Sequence, residues 1–249
     1  MKSFTRIVGS LAAVTLLSAM LVAQNPSAGR YDSSVQEKVM HQLSEKNQFR
    51  NVQSSVEDGI VTLKGTVDLY QDKLDAAKKA KKVEHATGVR NLIEVAGPTV
   101  ADSEIATKLA GKLRYDRAGY DNLFNYFTLD VKDGVVTVGG ETLSGVGRDS
   151  ALSLVQRMPG VKDVVDKVAV SPVSPFDDSL RVRAARVLYR DPVLSKYALD
   201  PQRPIRIIVD HGKVSLYGAV DSTMDKQVAG IRASQLFGAF SVENHLTVD

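Results

Sequence analysis

The chain has 249 residues, 43% of them hydrophobic and 24% charged, a balance that is typical of globular proteins and excludes wholesale disorder. It contains no cysteine, which excludes disulfides, thiol catalysis and cysteine-based zinc sites. The formal net charge of +3 falls to +1 without Lys2 and Arg6 of the leader described next, which argues against nucleic-acid binding because that binding depends on neutralising phosphates.

The first 24 residues have the layout of a secretory signal peptide. Lys2 and Arg6 precede an apolar stretch from Ile7 to Val22, and no acidic residue occurs before Asp32. We therefore predict a signal peptide over 1–24, a linker over 25–33, and a periplasmic or otherwise exported protein. An uncleaved N-terminal membrane anchor is the alternative, although about 16 residues are slightly short for a membrane span.

The next segment, 34–97, predicts an order of helix, strand, strand, helix and strand. The predicted bounds are 32–46 for the first helix, 50–57 and 60–67 for the strands, 70–87 for the second helix and 89–95 for the last strand. Val35, Val39, Met40 and Leu43 form the apolar stripe of the first helix. Gly88 is the predicted stop of the second helix, since glycine commonly follows a helix C-terminus.

The same order of elements recurs twice more. The second copy, 102–171, has a helix from Asp102, an aromatic-rich loop at 115–126, a hairpin at 127–142, a helix at 144–158 and a strand at 161–170. The third copy, 177–249, has a helix from 177, an insert at 191–204, a hairpin at 205–220, a helix from 222 and a strand at 241–248. The first copy is expected to lose the register of the other two after Gly88, because Gly97-Pro98 arrives early.

Each predicted hairpin carries the same motif, an Asp-Gly or His-Gly turn followed six residues later by another glycine. The turn residues are expected at positive φ, which costs glycine little and is tolerated by aspartate. The later glycine is expected where the backbone passes a helix too closely for a side chain. The motif residues are Asp58, Gly59, Gly65, Asp133, Gly134, Gly140, His211, Gly212 and Gly218.

This combination resembles the BON domain family. The resemblance rests on the export signal and on three copies of Asp or His, Gly, any residue, Val, Thr or Ser, Leu or Val, any residue, Gly. It implies an α+β fold of three tandem αββαβ sandwich repeats at 34–97, 102–171 and 177–249. It further implies an envelope location, contact with phospholipid or other envelope surfaces, often under osmotic or envelope stress, and no catalytic residues. The longer inserts of the second and third copies and His211 in place of an acidic turn residue depart from the family pattern.

The residues themselves point to no enzyme. The four histidines are scattered without metal-ligand spacing, and both a Gly-x-Ser-x-Gly motif and a phosphate-binding loop are absent. We expect no catalytic residue, cofactor, metal or small-molecule substrate. A hydrolase or metalloenzyme built on Asp133 or His211 would need groups from different repeats to meet in one concave site.

Two surfaces are candidates for contact with a partner. The first is the lysine face of the second helix, comprising Lys73, Lys78, Lys79, Lys81 and Lys82, which is either a membrane contact or an ordinary solvated face. The second is the aromatic loop with Tyr120 and Phe124, which is either a lipid or protein contact or a lid over the core of its own repeat. The sequence favours the lid, because so small a domain needs the buried area.

The function predicted from these features is that of a non-enzymatic envelope protein of BON type. It would bind phospholipid membrane surfaces or membrane-associated partners, in osmotic or envelope stress protection. The alternative is an envelope scaffold that binds other proteins and never contacts lipid.

Overall fold

A computed structural model describes residues 29–116, 123–199 and 203–249, which form three αββαβ repeats. The predicted α+β fold of three repeats is confirmed. The predicted signal peptide and Tyr120 lie outside the described residues. Within the described ranges, no helix has the length and hydropathy needed to cross a membrane. Where each repeat begins and ends as a folding unit stays a prediction.

Helices and strands alternate as the sequence patterns predict. The first repeat contains α1 (Asp32–Ser44), β1 (Val52–Glu57), β2 (Ile60–Val67), α2 (Tyr70–Lys81) and β3 (Gly88–Val95). The second contains α3 (Asp102–Arg114), β4 (Tyr126–Lys132), β5 (Val135–Thr142), α4 (Gly145–Gln156) and β6 (Asp163–Val170). The third contains α5 (Pro175–Arg190), α6 (Lys196–Leu199), β7 (Arg206–Asp210), β8 (Lys213–Tyr217), β9 (Ala219–Val220), α7 (Thr223–Ser234), β10 (Ser241–Asn244) and β11 (Thr247–Val248).

Each repeat builds a three-stranded sheet whose central strand is the second strand of the hairpin. The orders are β1-β2-β3, β4-β5-β6 and β7-β8-β10, with the hairpin antiparallel and the last strand parallel to the centre. In the third repeat, the short pair β9 and β11 continues this parallel pairing beyond Gly218.

The register of the last strand is the same in all three repeats. Gly88 pairs with Ile60, Asp163 with Val135, and Ser241 with Lys213, each at the start of the central strand. The expectation that the first repeat loses this register is therefore wrong. In both the first and second repeats, eight residues of the last strand pair with the centre.

The predicted helix stop at Gly88 is also wrong. The chain turns after α2 at His85, whose φ is 69°, and the equivalent positions are Gly160 with φ of 90° and Gly238 with φ of 93°. Gly88 lies three residues further on, in β3. A histidine thus occupies the left-handed conformation that glycine takes in the other two repeats.

The core of each repeat lies between its two helices and its sheet. Val35, Val39 and Leu43 of α1 are buried as predicted. On α2 the fully buried positions are Ala76 and Ala80, whereas Leu74 and Ala77 are half-buried. The small side chains let α2 approach the sheet closely, so the lysines between them face outward.

Candidate functional site

The three hairpin turns adopt the predicted conformation. Asp58, Asp133 and His211 have φ of 51°, 54° and 48°, and each following glycine has φ between 75° and 79°. In the first repeat, the Asp32 carboxylate accepts the N–H groups of Asp58 and Gly59 at 2.9 and 2.8 Å. Asp102 accepts those of Asp133 and Gly134 at 2.7 and 2.9 Å. These carboxylates therefore hold turns in place.

The later glycine of each motif is required by a different contact from the one expected. A Cβ on Gly65 would lie 2.0 Å from the Asn51 carbonyl oxygen, and a Cβ on Gly140 would lie 2.0 Å from that of Tyr126. These oxygens belong to the backbone that leads into the partner strand of the hairpin. The expectation of a close helix is wrong, because the obstruction lies within the hairpin itself.

Among the described residues, no group of three or more histidine or acidic side chains is arranged to hold a metal ion. Asp133 and His211 each belong to the turn of a separate hairpin and are exposed to solvent. The described residues thus offer no concave site that joins these two groups.

The lysine face of α2 is open to solvent along most of its length. Lys78, Lys81 and Lys82 are exposed, and Lys73 and Lys79 are half-buried. In the part of the chain that the structure describes, none of the five forms an ion pair. The nearest acid beyond the helix, Glu84, contacts Lys38 instead, at 3.4 Å. These lysines therefore form no direct ion pair with a described residue, while Asp75 of the same helix and Glu84 beyond it partly offset their charge.

The aromatic loop contacts the third repeat. Phe124 is half-buried and packs against the core of the third repeat, while Phe127 is buried in its own. The Tyr126 ring stacks on Tyr217 with centroids 4.1 Å apart, and the Leu123 carbonyl accepts the Ile207 N–H at 2.9 Å. Phe124 therefore does not form the expected lid over the second repeat, because it packs on the core of the third.

The first and second repeats meet through Tyr70. Its ring packs against the core of the second repeat, and its hydroxyl is hydrogen-bonded to the Asp163 carboxylate. Burial and the hydrogen bond to Asp163 both raise the pKa of Tyr70 above its ordinary value. Contacts between neighbouring repeats thus involve side chains that the sequence alone gave no reason to pair.

A cavity of about 480 Å³ opens between the second and third repeats. Arg114, Arg203 and Arg206 line it together with Tyr126 and His245. Arg203 is paired with Asp221 at 3.2 Å and Asp249 at 2.9 Å. Arg206 is buried, with its guanidinium 3.5 Å from the Asn125 carbonyl oxygen. Much of the positive charge in this cavity is therefore engaged within the protein.

Sequence reasoning missed a cluster of phenylalanines at one end of the third repeat. Phe237 is 88% exposed, Phe240 is 79% exposed and Phe176 is 45% exposed, and the rings of Phe176 and Phe240 stack 5.8 Å apart. We call these three residues the aromatic tip. The signal was available in the alignment of the repeats, because Glu84 and Thr87 stand at the positions of Phe237 and Phe240 in the first repeat.

Asp225 of the third repeat is a largely buried carboxylate with several hydrogen-bond donors. Hydrogen bonds from Lys196, at 2.8 Å, and from the Tyr197 hydroxyl lower the pKa of Asp225. Asp72 occupies the equivalent position of the first repeat, the third residue of α2. Burial, followed by the nearby charge of Asp75, raises the pKa of Asp72 above its ordinary value.

Comparisons with known proteins agree with the repeat architecture. A family model described as BON domain matches residues 31–97, 101–172 and 192–249. Osmotically-inducible protein Y of Escherichia coli (strain K12) is 29% identical over 148 residues, which cover 53% of this chain and 69% of that protein.

Two solved structures show a weaker similarity. CdsD, a structural protein of the Type III secretion system of Chlamydia trachomatis, is 13% identical with a TM-score of 0.24, over 86% of this chain and 91% of that one. The PrgH periplasmic domain is 12% identical with a TM-score of 0.21, over 80% and 96%. TM-scores this low carry no argument about the present chain.

Proposed function

The chain belongs to the BON domain family, and we propose on that basis that it acts in the cell envelope by binding phospholipid membrane surfaces. Family membership and the similarity to osmotically-inducible protein Y support an envelope or osmotic-stress-related protein that is not an enzyme. The proposal includes export by the N-terminal leader and a role in osmotic or envelope stress protection.

The observation that carries the lipid proposal is the lysine face of α2, whose cations form no ion pair with a described acid. Lys78 and Lys81 of α2 and Lys82 directly after it are exposed, and in the described ranges no acid pairs with them. Near an anionic bilayer each such cation adds about 1 kcal/mol of attraction. That attraction acts within about a Debye length of the surface, so it weakens as salt is added.

Liposome co-sedimentation of the chain without residues 1–24 tests this proposal. We expect binding to vesicles that contain phosphatidylglycerol, weak binding to pure phosphatidylcholine, and release at high salt. The combined Lys78→Ala, Lys79→Ala, Lys81→Ala and Lys82→Ala variant should bind at least tenfold more weakly, because about 1 kcal/mol per cation is lost.

A charge-matched control separates a local surface from net charge. Lys108→Ala, Lys112→Ala, Lys132→Ala and Lys162→Ala together remove four exposed lysines from the second repeat. This control should retain most of the binding. Equal loss in both variants, or binding that salt leaves unchanged, would contradict a contact at α2.

The scaffold alternative is favoured by one observation. Phe124 and Tyr126, which the sequence offered as partner contacts, are engaged by the third repeat. Aromatic surface in this chain is thus already used for protein contacts between repeats. Absence of co-sedimentation with every vesicle composition would favour a scaffold over a lipid-binding protein.

A further inference from the structure

Two rings of the aromatic tip, those of Phe176 and Phe240, pack against each other and against the hairpin turn. The Phe240 N–H donates to the Gly212 carbonyl at 2.8 Å, and its ring lies so close to Gly212 that a Cβ there would approach Cδ2 to 2.6 Å. Gly238, with φ of 93°, turns the chain between Phe237 and Phe240. The segment after α7 therefore presents two large, exposed apolar rings to solvent, of which that of Phe240 is packed against the hairpin turn.

The ionic groups around the tip include two arginines of α5 that have no acidic partner among the described residues. Of the nearby acids, Glu243 pairs with Lys213 at 2.7 Å and Asp178 with Arg181 at 2.7 Å, Asp210 contacts the imidazole of His211 at 2.6 Å, and Asp177 accepts backbone N–H groups of the hairpin turn. Arg183 and Arg186 of α5 form no ion pair with any described residue. The Arg183 guanidinium lies beside the tip, 3.2 Å from where a Gly238 Cβ would be.

One side of α5 carries both a ring of the aromatic tip and basic side chains. Phe176, Arg183 and Arg190 are seven residues apart, which places them along the same side of the helix. Two projecting rings followed by arginines form the arrangement by which proteins enter the interface of an anionic bilayer, with rings among the acyl chains and cations at the headgroups.

We infer that the aromatic tip inserts into the headgroup region of an anionic phospholipid bilayer and is a membrane contact separate from the lysine face of α2. This inference rests on the proposed function. A second copy of the chain fits the tip less well, because a symmetric contact would bring the two sets of Arg183 and Arg186 together. A protein partner would need a pocket shaped for two projecting rings, whereas the headgroup region deforms around them.

The absence of tryptophan from the chain makes insertion directly measurable. In Phe237→Trp, the only indole of the protein sits at the tip. On mixing with phosphatidylglycerol vesicles we expect its emission to shift to shorter wavelength and to be quenched by brominated acyl chains. Val173→Trp is the matched control, because Val173 is 96% exposed in the segment between β6 and α5. Its emission should stay at the wavelength of a hydrated indole.

Removal of the rings gives the energetic test. Phe237→Ser combined with Phe240→Ser should lower the partition coefficient onto phosphatidylglycerol vesicles by about 30-fold or more. Because Phe240 also packs on Gly212, Phe237→Ser alone is measured as well. It should lower the partition coefficient several-fold. Arg183→Gln combined with Arg186→Gln should weaken binding to anionic vesicles and leave the weak binding to phosphatidylcholine unchanged.

The outcomes separate this inference from the proposed function. A parent chain that binds no vesicle overturns both. The parent chain could bind while the Phe237→Trp emission stays unshifted and the serine variants partition normally. That result overturns the inference about the tip alone and leaves α2 as the membrane contact. A blue shift that appears without lipid and grows with protein concentration would identify a second copy as the occupant and would overturn the inference too.

Discussion

The carboxylate of Asp177 accepts the backbone N–H of Gly212 at 2.8 Å, and its other oxygen accepts the neighbouring N–H of His211 at 3.1 Å. Asp177 lies in the first turn of α5, and Gly212 lies in the turn between β7 and β8. The same bond pair recurs at Asp32 and Asp102. In every repeat, therefore, the first helix is tied to the hairpin by one carboxylate that satisfies both turn amides.

Asp177→Ala should destabilise the third repeat by about 1–3 kcal/mol, since it leaves the buried N–H of Gly212 without a partner. Urea unfolding at pH 7 measures this loss. Asp149→Ala, at an exposed position on α4, is the control and should change stability by less than about 0.5 kcal/mol. Equal effects of the two substitutions would show that the paired hydrogen bonds add no stability beyond that of an ordinary surface position.

The turns could be predicted from the sequence, but the carboxylates that hold them could not. Asp-Gly between two apolar alternations is a local signal, and positive φ follows from it. The partner of Gly134 is Asp102, 32 residues earlier, where an aspartate at a helix start is already explained as favourable to the helix dipole. Only the recurrence of aspartate at 32, 102 and 177 hints at a second role.

The contacts between repeats had no signal in the sequence at all. Hydrophobic periodicity shows which face of an element is buried, but not which neighbour buries it. Tyr126 and Phe127 are adjacent, yet one stacks on Tyr217 of the next repeat and the other enters its own core. Likewise, nothing in the sequence marks His85 as a turn residue, because positions with a left-handed backbone are usually occupied by glycine.

Gly140→Ala should destabilise the second repeat by at least about 2 kcal/mol, because its φ is 106° and the new Cβ would collide with the Tyr126 carbonyl. Relief of that collision requires β4 to move. Gly111→Ala is the control within the same repeat. Gly111 lies inside α3 with nothing within 4 Å of its added Cβ, so alanine should stabilise by about 0.5–1 kcal/mol. Thermal unfolding distinguishes the opposite signs.

Asp72 and Asp225 occupy equivalent positions of the fold, yet their pKa values are shifted in opposite directions. Both are largely buried at the third residue of a helix. Asp225 has Lys196, Tyr197 and the Ser222 hydroxyl nearby, and hydrogen bonds from Lys196 first, then Tyr197, lower its pKa. Asp72 has Gln48 as its side-chain donor and Asp75 as a neighbour, so burial dominates and raises its pKa.

These opposite shifts predict opposite pH dependence. The ionised Asp225 stabilises the folded protein above its ordinary pKa of 3.8, and this contribution is lost as pH falls from there through the lower folded pKa. Asp225→Asn should therefore lower the melting temperature at pH 7, and the difference from the parent chain should shrink as the pH falls below 3.8. The measurement is a series of melting curves from pH 7 to pH 2.5.

For Asp72 the sign is reversed, because a carboxyl with a raised pKa favours folding when it is protonated. Its stabilisation is complete below 3.8 and is lost as pH rises through the higher folded pKa. Asp72→Asn keeps an oxygen to accept from Gln48 and removes the buried charge, so it should raise the melting temperature at pH 7 and leave it unchanged near pH 2.5. If both asparagine variants shift the melting temperature in the same direction at pH 7, the two carboxylates do not differ as their surroundings require.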